Sequence, residues 1–142
     1  MNMFFNADRM LLPVSKVLLN KLYELALQHG LNKDTKAIII RFVDSQYDID
    51  NDGTQPIEIK MVEIYGLWRF VYMEEFSYQE ELYFELHKET EFDFRRNRAS
   101  FLLMDYMVLS DEVVQDFYPK WEATLLNRLK EGAYDQISVT LK

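Results

Sequence analysis

A chain of 142 residues and 17.1 kDa, 49% apolar and 28% charged with only four glycines and three prolines, has the composition of one packed domain, which excludes a disordered, collagen-like or linker-rich polypeptide. The absence of cysteine excludes a disulfide framework, a zinc ribbon and thiol catalysis, and 16 basic against 24 acidic residues, net −8, disfavours a sequence-independent grip on nucleic-acid phosphate. No apolar run approaches the roughly 18 residues of a membrane span, and no basic stretch precedes the apolar residues of the N-terminus, so neither anchor nor signal peptide is expected and the cytoplasm is the expected compartment.

Residues 1–12 read as an N-terminal extension. From Pro13, the residues Val14, Val17, Leu18, Leu22, Leu25 and Ala26 recur at steps of three and four, predicting a helix over 13–30 with Pro13 in its first turn and Gly30 at its C-cap. Lys36 to Asp44 is β-branched and aromatic on both faces, a well-buried strand. After a turn-rich stretch, Ile57, Ile59 and Met61 alternate with Glu58, Lys60 and Val62; Tyr65-Gly66 then marks a tight turn into a second hairpin strand, Leu67 to Phe76. Leu82, Phe84 and Leu86, then Phe92 and Phe94, alternate with polar residues as further meander strands, and Arg95 to Arg98 forms a charged turn. Phe101 to Leu109 is apolar without a clear period; strand is preferred over buried helix. Ser110 caps a helix whose stripe is Val113, Val114, Phe117, Trp121, Leu125 and Leu129, kinked or split at Pro119 and closed by Gly132. Ile137, Val139 and Leu141 alternate in a last strand. The order predicts an α+β fold: a mainly antiparallel meander sheet over 36–109, packed by the N-terminal helix and a C-terminal helix or helix pair over 110–132, with a final C-terminal strand over 134–141, all within a single domain, 1–142.

The sharpest local motif is Asp48-Ile49-Asp50-Asn51-Asp52-Gly53, which begins like a calcium loop. Asp48, Asp50 and Asp52 form a weak metal candidate only, because Ile59 stands where a bidentate glutamate would close the shell; an Asx-rich surface turn accounts for the same residues. His87, near Glu85, Glu89 and Asp93, lacks the further nitrogen ligands that a transition metal needs, and reads as a strand histidine, as His29 reads as a helix-end one. No dinucleotide fingerprint, P-loop, nucleophile elbow or metalloprotease helix occurs, so no catalytic residue and no cofactor is assigned. Arg95, Arg96 and Arg98 between Phe92, Phe94 and Phe101 resemble a platform for single-stranded nucleic acid, a reading set against a plain charged turn.

The acidic excess is concentrated. Between Glu74 and Asp93 stand Glu74, Glu75, Glu80, Glu81, Glu85, Glu89, Glu91 and Asp93 against the single base Lys88, a net −7 of the chain's −8. One reading is the solvated face of a meander. The functional reading is a charged sheet surface, with Glu74, Glu75, Glu80, Glu81, Glu85 and Glu89 as contacts and Tyr72, Tyr78 and Tyr83 interleaved, that attracts a basic protein partner. The alternative is a small hydrolase or ligand-binding domain with a cleft under the C-terminal helix near Tyr118 and Trp121, recognisable by two converging carboxylates. A third is an acidic mimic of nucleic acid.

The run Ile38-Ile39-Ile40-Arg41-Phe42-Val43-Asp44-Ser45-Gln46-Tyr47, then Gln55-Pro56-Ile57-Glu58-Ile59, Phe76-Ser77-Tyr78, Glu91-Phe92-Asp93-Phe94 and Gly132-Ala133-Tyr134-Asp135, resembles a domain-of-unknown-function family of gammaproteobacteria often encoded in genomic islands. The resemblance extends from about Pro13 to Leu141, with Arg41, Val43, Ser45 and Gln46 departing from the family's Asn, Arg, Pro and Ser. It implies a fold similar to the acidic mitochondrial matrix glycoprotein family that also binds complement, an antiparallel sheet with helices packed on it, in homo-oligomers. It supplies no catalytic residues. The preferred expectation is therefore a non-enzymatic, acidic binding or adaptor protein.

Overall fold

The computed structural model describes residues 2–48, 50, 52–78, 86–101 and 104–142. A short 3-10 turn, Ala7–Arg9, precedes helix α1 (Lys16–Gln28); strands β1 (Ala37–Val43), β2 (Ile57–Ile64), β3 (Leu67–Tyr78), β4 (Leu86–Asp93) and β5 (Arg98–Ser100) follow, then helix α2 (Glu112–Lys130) and strand β6 (Gln136–Leu141). The named strands pair antiparallel throughout in the order β5-β4-β3-β2-β1-β6, a meander with β6 returned beside β1. This is the α+β architecture expected from the pattern, with both helices contributing to a core that also contains one face of the sheet.

That face is built by period-two alternation. Ile38, Ile40 and Phe42 of β1, Ile57, Ile59 and Met61 of β2, Phe70 and Met73 of β3 and Phe92 of β4 are each at most 2% exposed. Full burial of such side chains contributes about 1.5–3 kcal/mol apiece. Leu18, Leu22, Leu25 and Ala26 of α1 and Val114, Tyr118, Trp121 and Leu125 of α2 complete the core.

Element ends depart from the expectations for local reasons. Helix α1 begins at Lys16, after Pro13, because the Ser15 hydroxyl accepts the Leu18 N–H at 3.2 Å and takes the N-cap. Asp111 caps α2 where Ser110 was expected, accepting the Val113 N–H at 2.9 Å. The split expected as one alternative at Pro119 does not occur: α2 is a single helix from Glu112 to Lys130, with Pro119 on an exposed turn. The buried stripe on both sides of the proline outweighs one missing backbone bond. Gly30 (φ 101) and Gly132 (φ 71) let the chain turn back at the two helix ends, with Leu31 N–H donating to Ala26 O at 3.0 Å and Ala133 N–H to Arg128 O at 2.9 Å. Tyr65 and Gly66, at φ 53 and 83, form the two-residue hairpin between β2 and β3.

The strand preferred for Phe101 to Leu109 does not form among the described residues. Only Met107 bridges back to Ala99; Phe101 and Leu109 are buried anchors, while Met104, Tyr106 and Val108 are exposed. The N-terminal extension is partly structured. Beyond the end of β4, the free edge of β3 is filled by Phe5, with Asn6 N–H donating to Trp68 O at 2.9 Å and Trp68 N–H to Phe4 O at 2.7 Å. Among the described residues no helix is long and apolar enough to cross a membrane.

Candidate functional site

Two irregularities in the sheet decide where the acids of β3 and β4 point. Counting alternately from Trp68 and Phe70 would send Tyr72 and Glu74 under the helices. The β2–β3 register shifts between Lys60 and Met61, so that Met61 opposes Phe70, Lys60 opposes Tyr72, and Val71 is an extra residue. Met73 and Glu75 thereby join the helix-covered face and Glu74 the other. A second shift pairs Glu75 with Thr90 and Phe76 with Lys88, which leaves Glu89 as the extra residue of β4. Bulges of this kind bend a strand and re-aim a side chain.

Glu75 is 6% exposed, and both its oxygens are engaged. Trp121 Nε1 of α2 donates to Oε1 at 2.8 Å, and Arg128 Nη1 donates to Oε2 at 3.2 Å. The same guanidinium nitrogen donates to the Tyr134 hydroxyl at 3.1 Å, which donates to Gln55 O at 2.8 Å. Burial is the main cause that lifts the Tyr134 phenol to about 12, opposed by Arg128. This chain of bonds fixes α2 to the sheet and satisfies a carboxylate that would otherwise be costly to bury. Beside it, Glu122 Oε1 accepts the Tyr118 hydroxyl at 2.9 Å and the Ser15 N–H at 2.8 Å, joining α2 to the start of α1. Burial, reinforced by the Glu122 charge, holds the Tyr118 phenol far above its ordinary range.

Above Glu75 opens a cleft of about 260 Å³ whose walls include Gln55, Glu89, Phe117, Lys120 and Trp121. Glu89 is exposed at this cleft. Its carboxyl is raised, first by partial burial and then by the Glu75 charge, against the opposing effects of Gln55 and Arg128. Two carboxylates therefore converge here under α2, one locked by a tryptophan and an arginine and one facing solvent.

The opposite face of the sheet carries a row in register: Arg41 opposes Glu58, Glu58 opposes Glu74, and Glu74 opposes Glu91. Like charges directly opposite repel. Lys88 relieves them by reaching Glu74 at 3.1 Å and Glu91 at 3.8 Å, and the Tyr72 hydroxyl donates to Glu58. Burial still raises the Glu74 carboxyl, with Lys88 pulling the other way and the Glu91 and Glu58 charges adding to the rise.

The exposed acidic surface expected between Glu74 and Asp93 is thus corrected at most of its described positions. Glu74, Glu75, Glu91 and Asp93 are 7%, 6%, 6% and 8% exposed. Each has a cationic partner, Asp93 pairing with Arg96 at 3.8 Å. Glu89 alone of the described acids in this segment faces solvent without such a bridge. Glu80, Glu81 and Glu85 lie outside the described residues, as does Tyr83. Lys88, Arg128, Glu122 and Tyr134 were missed as partners of these groups, since nothing in their spacing marks contacts made across strands and helices.

The other sequence candidates separate. Asp48 accepts the Asp50 N–H at 2.8 Å in an Asx turn, and among the described residues no group of acids and histidines is arranged to hold a metal ion. Gly53 has a packing reason, because a Cβ there would lie 2.6 Å from the Tyr47 Cα. His29 Nδ1 lies 2.8 Å from Leu25 O, and His87 opposes Ser77 in the ladder. The three arginines diverge: Arg96 pairs with Asp93, Arg98 lies 3.9 Å over the Tyr106 ring, and Arg95 turns to a recess near the start of β3. Phe92, Phe94 and Phe101 are buried, so no stacking platform is presented.

Two solved structures share this fold. A hypothetical protein from the VSP-II pathogenicity island of Vibrio cholerae superposes with a TM-score of 0.89 at 26% identity, covering 99% of this chain and 100% of its own. A conserved hypothetical protein from pathogenicity island VPI-2 of Vibrio cholerae O1 biovar eltor gives 0.82 at 26% identity, over 92% and 97%, and is described as sharing structural homology with the human P32 protein. A comparison with curated proteins finds no match. The model of the protein family of unknown function DUF2787 matches residues 16–140, and the chain belongs to that family.

Proposed function

We propose that the protein is a non-enzymatic binding module that takes a cationic segment of a basic protein partner at the cleft between α2 and the β3–β4 ladder, with Glu89 as its contact carboxylate. The observation that carries this reading is the placement of Glu89 on a bulge, solvent-facing and raised by burial and by Glu75. A carboxylate whose negative charge is held at a cost gains from an incoming ammonium or guanidinium more than a free surface glutamate does. Phe117 and Trp121 line the cleft and offer an apolar wall for the alkyl stem of such a side chain.

The paired carboxylates also fit the alternative, an acid–base hydrolase. Against it stands Glu75, which is 6% exposed and already accepts from Trp121 and Arg128, so that it is held as an ion-paired anchor of α2 rather than offered to a substrate.

The test is a titration with a labelled oligolysine peptide at ionic strengths of about 0.01 and 1 M, where the Debye length is about 30 and 3 Å. Saturable binding at low salt, abolished by Glu89→Lys and retained by the exposed-site control Glu131→Lys, is the expected result. Equal loss in both variants would mean diffuse attraction to an acidic chain, and the cleft would lose its role.

A further inference from the structure

Arg9, Arg69 and Arg95 come from three separate segments, the 3-10 turn, β3 and the turn between β4 and β5, yet they line one recess of about 190 Å³. The rest of its wall is apolar, including Ile64 and the rings of Phe70 and Phe94, whose centroids are 5.4 Å apart. Among the described residues no carboxylate lines it. Among the described residues none of the three guanidiniums makes an ion pair or a hydrogen bond, and the Nε–H of Arg69 is buried with no acceptor. Arg9 and Arg95 are exposed and Arg69 is half-buried, so in a chain of net charge −8 three cations without a carboxylate partner gather around one recess.

The walls are fixed. Phe5 stacks on Phe70 at 5.3 Å, and Phe94 N–H donates to Val71 O at 3.0 Å. Leu11 holds φ 56, a left-handed conformation unfavourable for a side chain larger than glycine's. Gln115 Nε2 holds it there by donating to the carbonyls of Leu11 at 3.0 Å and Leu109 at 2.8 Å. The segment carrying Arg9 is therefore tied to α2.

We propose that this recess binds a small phosphate monoester, with the dianion among the three guanidiniums and a short apolar or aromatic body against Phe70, Phe94 and Ile64. Guanidinium forks match the oxygens of phosphate and carboxylate alike, and three of them favour the dianion over a single carboxylate. The recess is smaller than a typical pocket of about 300–1,000 Å³, so the organic part is no larger than one ring or side chain.

Phenyl phosphate is the probe. Titrated into the full chain, it is expected to bind saturably by calorimetry and to raise the melting temperature with concentration. Inorganic phosphate, lacking the ring, is expected to bind more weakly. Arg69→Gln and Arg95→Gln should each weaken phenyl phosphate by about tenfold or more, as loss of a charge-assisted bond does, and Lys33→Gln should not. Arg95 lies on an exposed turn, so its variant reads the site even where Arg69→Gln perturbs folding. Absence of saturable binding, unchanged affinity in Arg95→Gln, or equal affinity for a single-stranded oligonucleotide with diester phosphates only would overturn the proposal.

Discussion

Glu74 and Glu75 are neighbours in sequence and opposites in structure. One extra residue, Val71, puts Glu75 under α2 and Glu74 on the other face beside Lys88. Sequence shows the density of acid but not the bulge, because a bulge is a property of two strands in register. Glu89 carries the clearest pH signature. Its raised carboxyl means that the folded chain takes up a proton there before the unfolded chain as pH falls, so the native state binds more protons just above the ordinary glutamate range. Stability contributed by that group therefore declines as pH rises through the folded value. Glu89→Gln is expected to be more stable than the parent at neutral pH, by less than about 1 kcal/mol for so exposed a group, and the two should converge below the unfolded value of about 4.3. Urea melts at both pH values measure this; a less stable variant at neutral pH would contradict it. Gly53→Ala places a methyl 2.6 Å from the Tyr47 backbone and should cost about 1–3 kcal/mol in the same assay.

At the scale of elements, periodicity located both helices and the β1, β2, β3 and β6 strands well, since each has one face sealed by the core. It failed where apolar residues serve different neighbours: Phe101 and Leu109 anchor the core while Tyr106 carries Arg98 on its ring, and no single period describes that. Pro119 does not split α2 for a related reason, as tertiary burial of Tyr118 and Trp121 overrides the break that local propensity allows there. Pro119→Ala restores a donor for the Gln115 carbonyl and should stabilise α2, raising unfolding free energy by about 1 kcal/mol or more in denaturant melts. Arg128→Met leaves the buried Glu75 with Trp121 as its remaining donor and should destabilise by about 3 kcal/mol, whereas Glu75→Gln with Arg128→Met should recover much of that loss. Additive losses in this cycle would show that the pair does not couple α2 to the sheet.

For the whole molecule, a net charge of −8 suggested one acidic face, but the described part of the acid-rich segment is largely neutralised within the fold. Charge counted along a sequence reports composition; charge available to a partner depends on which carboxylates the sheet has already matched. The cleft near Trp121 was legible in outline from the C-terminal stripe, while Glu75, Arg128 and Tyr134 as its frame were not, since they meet only in three dimensions. The central claim, that Glu89 at this cleft receives a cation, predicts a proton balance. Calorimetry of oligolysine binding in buffers of different ionisation enthalpy, about one unit above the ordinary glutamate pKa, should show proton release by the parent chain and none by Glu89→Gln. Binding without proton release, or the same release from the variant, would contradict it.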